Sequence, residues 1–133
     1  MQPQIHLIDE TWIDADVERT SAAVADPVVW RLWWPTLYLT VTRDRGRKGI
    51  QWAARSATGS DVDLTGTVEL WLEPVKSGVL LHHYLRLDPT DGPLSRRQVR
   101  RLTRDFAWQA KRVFWKLKDD LEATQRPLDQ GGR

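Results

Sequence analysis

The chain has 133 residues, 41% of them hydrophobic and 29% charged, which suits one globular domain with one apolar core and excludes a low-complexity or disordered class. It contains no cysteine, which excludes disulfides and thiolate metal sites, and no apolar run near the roughly 20 residues of a membrane span. Formal net charge is +2, with arginine supplying 15 of 20 basic residues; the excess is too small to argue for nucleic-acid binding, and the arginine bias fits either a GC-rich genome or recognition of carboxylate and phosphate. The opening "MQPQIHLIDETW" has no basic region followed by an apolar stretch, so the expectation is a cytoplasmic protein without a secretion signal.

"IHLIDETWID" (5 to 14) alternates as a strand, with Ile5, Leu7 and Ile13 on one face and Ile8 and Trp12 on the other. Apolar residues on both faces leave open which one meets the core. Asp14 or Asp16 then caps a short helix running to about Ala25. Asp26 followed by Pro27 starts a second short helix, which carries Trp30 and Trp33 and ends by Trp34, because Pro35 disfavours helix in the residue before it.

From Leu37 to Asp88 the period changes to two. Four strands are expected at about 37 to 44, 49 to 56, 62 to 73 and 79 to 88, joined by short loops that make antiparallel hairpins. In the last hairpin, a loop at Val75 to Gly78 pairs Leu72 with Leu81, Leu70 with His83 and Val68 with Leu85 on an apolar face. The opposite face pairs Trp71 with His82, Glu69 with Tyr84 and Thr67 with Arg86. In the first hairpin Val41 faces Trp52 and Leu39 faces Ala54. A five-residue loop at Ala57 to Asp61 then places Trp52 beside Gly66.

"DPTDGP" breaks the sheet. Ser95 to about Ala123 is the longest helical pattern, with Val99, Leu102, Phe106, Ala110, Val113, Leu117 and Leu121 forming one stripe and Ser95 as cap. "QRPLDQGGR" has no periodicity and reads as a frayed tail. A one-sided sheet must bury its apolar face, and the long helix is the element large enough to cover it. One helix, about 10 Å wide, does not seal a broad curved sheet, so a cavity remains unless bulky side chains fill it.

The element order, "DPVVWRLWWP", "GTVELWLEPVKSGVLLHHYLRLDP" and "RVFWKLKDDLE" together resemble the SRPBCC superfamily, also called START-like or helix-grip proteins, and in particular the small bacterial polyketide cyclase/dehydrase-type proteins. The resemblance covers about residues 5 to 123. It implies an α+β helix-grip fold: a curved antiparallel sheet of five to seven strands wrapped around a long C-terminal helix, with two short helices after the first strand. Residues 1–124 would form one such domain and 125–133 a flexible tail. It also implies an apolar cavity between sheet and helix that binds a small hydrophobic or lipid-like molecule, for binding or transport. The alternative is a cyclase or dehydratase-type enzyme using the same cavity. Two features depart from the pattern: five strands are readable where six or seven are usual, and the loop "RDRGRKG" is basic where some relatives carry a glycine-rich loop.

The residues expected to bind ligand are Trp33, Trp34, Trp52, Leu70, His83, Leu85, Phe106 and Ala110. Trp30, Trp33 and Trp34 either close one end of the core or form the cavity lip, and Trp52 is either a core plug or a pocket floor. His83 falls on the apolar inner face, where it is a satisfied core histidine, a ligand-orienting group or the candidate acid/base. His82, on the outer face, is expected in solvent. No second histidine or clustered carboxylate accompanies His83, so neither a metal nor another cofactor is expected. Catalytic nucleophiles find no support, because there is neither cysteine nor a Gly-x-Ser-x-Gly elbow.

"RRQVRRLTR" (96 to 104) sets five arginines at the start of the long helix, against its dipole. They read as a solvated face or as a site for anionic headgroups or an acidic partner. Trp108 and Trp115, flanked by Arg104, Lys111 and Lys118, suggest a dimer contact or a peripheral membrane contact, or else packing on neighbouring elements. The partners expected are thus a small apolar molecule or lipid and no specific nucleic acid, with the chain a monomer or homodimer.

Overall fold

A computed structural model describes residues 4–125. The order is β1 (Ile5–Ile13), α1 (Val17–Val24), α2 (Pro27–Trp33), β2 (Leu37–Asp44), a 3-10 turn (Gly46–Lys48), β3 (Gly49–Ser56), β4 (Leu64–Val75), β5 (Gly78–Pro89) and α3 (Arg96–Gln125). The tail expected beyond the domain lies outside the described residues, apart from Gln125, which ends α3.

Local chemistry sets the boundaries. The Asp16 carboxylate accepts from the Arg19 amide at 2.7 Å and starts α1. Asp26 does the same for α2 through the Val28 amide at 3.0 Å, with Pro27 at the first helical position. Ser95 and Gln98 form a reciprocal capping box at the head of α3: the Gln98 amide donates to Ser95 Oγ at 3.2 Å, and the Ser95 amide donates to Gln98 Oε1 at 2.9 Å.

The five strands form one antiparallel sheet in the order β1-β5-β4-β3-β2. Alternate residues of β1 settle its orientation: Ile5 and Ile13 are fully buried, while Ile8 and Trp12 face outward and are exposed. The β4–β5 pairing is the one the alternation predicts, with Leu70 opposite His83 and Trp71 opposite His82. The β2–β3 pairing also agrees, with a bulge between Val41 and Arg43. The β3–β4 pairing differs. Trp52 faces Val68, and Ala54 faces Gly66. The connecting loop has seven residues, 57–63, because Ser56 Oγ accepts from the Leu64 amide at 2.8 Å and donates to the Val62 carbonyl at 3.1 Å, holding those residues out of the ladder. The two-residue slip preserves the faces, so Trp52 still points inward.

Gly66 marks a close approach between strands: a Cβ there would collide with the Arg86 carbonyl oxygen. Gly49, at φ +130°, stands in the same relation to the Leu70 carbonyl and in a backbone region that glycine alone enters freely.

The helix α3 lies across the inner face and is tied to β1. Lys118 Nζ donates to the Trp12 carbonyl at 2.8 Å, and Glu122 Oε2 accepts from the Asp14 amide at 2.8 Å. Phe106, Ala110, Phe114, Leu117 and Leu121 are its buried residues among those described. The sequence stripe assigns Val113 to the core and omits Phe114. In the structure Phe114 is fully buried and Val113 only partly so. The α2 tryptophans approach α3 from the side and pull the buried arc round to Phe114.

Candidate functional site

Between the middle of the sheet and α3 lies a cluster of rings. Trp30 meets Trp52 edge-on at 4.9 Å, Trp34 meets Trp52 at 5.6 Å, and Trp33 meets Trp34 at 5.6 Å. Phe114 receives Trp33 at 5.8 Å, Trp34 at 6.3 Å and His83 at 5.0 Å. Most of these contacts are edge-to-face, the arrangement aromatic quadrupoles favour. The Trp30 indole N–H donates to the Val24 carbonyl at 2.5 Å, which fixes α2 against the end of α1. The indoles of α2 therefore shut one end of the core and also fill the space that a single helix leaves over the sheet.

All eight residues expected to touch a ligand are buried here: Trp33, Trp34, Trp52, Leu70, His83, Leu85, Phe106 and Ala110. Six of them are brought together around this ring cluster or in the strands beneath it, and Phe106 and Ala110 lie on the facing side of α3. Phe114, absent from the sequence expectation, is at the centre. Its signal was present in the four-residue steps Phe106, Ala110, Phe114.

The cluster contains three unpaired polar atoms. Among the described residues, Trp52 Nε1 and both ring nitrogens of His83 are buried without a hydrogen-bond partner. His83 is 1% exposed. Burial pushes its pKa down to about 4, against the opposing pull of the Asp9 carboxylate on the facing strand position. At neutral pH the ring is uncharged, with one donor and one acceptor nitrogen.

His82 is not in solvent. It is 9% exposed, with Nε2 at 2.9 Å and Nδ1 at 3.6 Å from carboxylate oxygens of Glu73 and Glu10 respectively. The rings of Trp71 and Tyr84 flank it on the outer face at 5.2 Å and 6.5 Å. Alternation correctly placed it on the outer face; the cover comes from neighbours on three strands.

An open cleft of about 630 Å³ lies at the end of the sheet–helix space, where the 57–63 loop faces the first half of α3. Val62, Leu64, Leu102 and Phe106 give it apolar surface, and Arg101, Asp105 and Gln109 line its α3 side. Pro35 closes it toward Trp34 of the ring cluster. The loop is braced by Ala57 N–H to the Thr36 carbonyl at 2.9 Å, by Ser60 Oγ–H to the Ala57 carbonyl at 2.8 Å, and by Thr90 N–H to the Asp63 carbonyl at 3.0 Å. Of the eight expected residues, Phe106 borders this cleft. Its remaining lining sits largely in a polar loop without periodicity, which the sequence reads as a turn.

Among the described residues, no group of three or more His, Asp or Glu side chains is placed to hold a metal ion. No helix there is long and apolar enough to cross a membrane.

The sheet wrapped over one long C-terminal helix, with two short helices after β1, is a helix-grip fold. Solved structures of this shape include the Aha1 dimer from Colwellia psychrerythraea (14% identity, TM-score 0.59, covering 89% of this chain and 96% of that one). DR_A0006 from Deinococcus radiodurans is similar at 16% identity and TM-score 0.57, over 90% of this chain and 99% of that one. CalU16 from Micromonospora echinospora is similar at 15% identity and TM-score 0.50, over 89% and 86% respectively. No protein-family model matches the sequence, and no curated protein matches it significantly.

Proposed function

We propose that the protein binds a small hydrophobic or lipid-like molecule at the open end of the space between the sheet and α3. The observation that carries this is the cleft, in which Val62, Leu64, Leu102 and Phe106 offer apolar surface beside polar groups of α3. A few polar groups on an apolar wall are what orients a buried small ligand. Arg101 has no ion-pair partner among the described residues and supplies a planar guanidinium for a carboxylate or phosphate end. The cyclase-type alternative would route proton transfer through His83. That ring is fully buried against Trp34 and Phe114 and is not among the residues that line the cleft.

The test is thermal unfolding against fatty acids, sterols and aromatic polyketides. A ligand specific to the folded state, present at a hundred times its Kd, adds about 2.7 kcal/mol of stability. The melting temperature of the wild type is expected to rise by several degrees with at least one compound. Thr58→Trp, an exposed position on the cleft wall, is expected to abolish the rise, and Arg101→Ala to reduce it for acidic compounds alone. No shift with any compound, or a shift that Thr58→Trp leaves intact, sinks the proposal.

A further inference from the structure

The face of α3 turned away from the core has a composition that core packing does not explain. Arg97, Arg101, Arg104, Lys111 and Arg112 are all exposed on it. Trp108 and Trp115 lie among them and are 56% and 52% exposed. At 3.6 residues per turn, these seven positions fall within an arc of about 100°, opposite Phe106, Ala110 and Leu117. They form a ridge about 27 Å long from Arg97 to Trp115. Of the acids on or beside this arc, Asp105 lies 3.5 Å from Arg104, Asp119 sits beyond the second tryptophan, and Glu122, further on, is paired with Lys118 at 2.6 Å. Arg97, Arg101 and Arg112 have no carboxylate partner among the described residues, and Lys111 sits over the Trp115 ring at 5.9 Å.

We propose that this face docks on an anionic lipid bilayer, with Trp108 and Trp115 in the headgroup layer and the flanking cations on lipid phosphates. Charge sets the sign of the partner. The indoles set its nature, because tryptophan is favoured where one end of the ring meets apolar matter and the other meets water. The two indoles stand about 10 Å apart along one helix face, so a helix lying flat on a surface seats both at the same depth. The helix's own apolar stripe is already buried against the sheet, which makes this a shallow, salt-sensitive contact rather than an insertion. This face meets the cleft at Arg101, and the variants that test it leave Arg101 and the rest of the cleft lining unchanged.

The experiment is co-sedimentation of the full chain with phosphatidylcholine vesicles, with and without phosphatidylglycerol, at low and high salt. The wild type is expected to bind the anionic vesicles alone and to be released by salt. The pair Arg97→Glu and Arg112→Glu is expected to weaken partitioning at least about twentyfold, at roughly fivefold for each cation removed. The pair Trp108→Ala and Trp115→Ala is expected to weaken it about tenfold while keeping the salt dependence. All four positions are exposed, and unchanged melting curves check that the variants fold. Equal binding by every variant, equal binding to neutral vesicles, or no binding at all overturns the proposal. So does a dimer in sedimentation velocity that the tryptophan pair dissolves, because a second copy would then cover the face.

Discussion

The buried imidazole of His83 makes a quantitative demand on stability against pH. Its pKa is held at about 4 in the folded chain, whereas an unfolded chain restores the ordinary value near 6.5. Between those values the unfolded state binds the extra proton, so stability rises with pH there. The folded state is therefore most favoured above 6.5, loses stability as pH falls from 6.5 toward 4, and levels off below 4. The gap corresponds to about 3 kcal/mol, most of it already lost at pH 4.5. His83→Leu removes the titration and the two unpaired nitrogens while keeping an apolar side chain of comparable bulk. Urea unfolding of both proteins at pH 7.5 and 4.5 isolates the effect, because every other titrating group is shared. The variant is expected to match or exceed wild-type stability at pH 7.5, since an unpartnered buried polar group costs about 1–3 kcal/mol. At pH 4.5 its advantage should grow by about 2–3 kcal/mol. Parallel stability profiles for the two proteins would refute the claim that the ring is sealed and uncharged.

Phe114→Ala removes the ring on which Trp33, Trp34 and His83 converge, and is expected to cost about 3–5 kcal/mol in urea unfolding, with loss of near-ultraviolet tryptophan dichroism. Val113→Ala, on the stripe that the sequence favours, should cost clearly less. Gly66→Ala drives a methyl group into the Arg86 carbonyl and is expected to destabilise by at least about 2 kcal/mol, read as a lower denaturant midpoint.

The parts of the fold most legible in the sequence are those fixed by local pattern. Alternation from Leu37 to Asp88 gives the strands, and the apolar set on one face of β4 and β5 admits one register, the one seen. The seven-residue loop was less legible, because Ser56 acts through its hydroxyl and Thr90 anchors Asp63 from a distant segment. His82 shows the limit of alternation: it names the face, whereas burial depends on Glu10 and Glu73 from neighbouring strands. Phe114 was missed because a single helical stripe counts one contact surface, and α3 meets two, the sheet and the α2 tryptophans. For the candidate site, composition located the aromatic residues but not their fit to one another, which decides whether the space between helix and sheet is open or filled.

The pairing of β1 with β5 has a consequence for biosynthesis. Ile5–Ile13 leaves the ribosome before the other four strands, yet its hydrogen-bonding partner is Val79–Leu87, and the helix that covers both follows them all. The hairpins from β2 to β5 can assemble as they emerge, while the leading strand waits with its apolar face and ladder groups unpaired. The newborn chain thus carries an adhesive edge until β5 has emerged, and crowded ribosomes or slow elongation would favour tangling between neighbouring copies over closure.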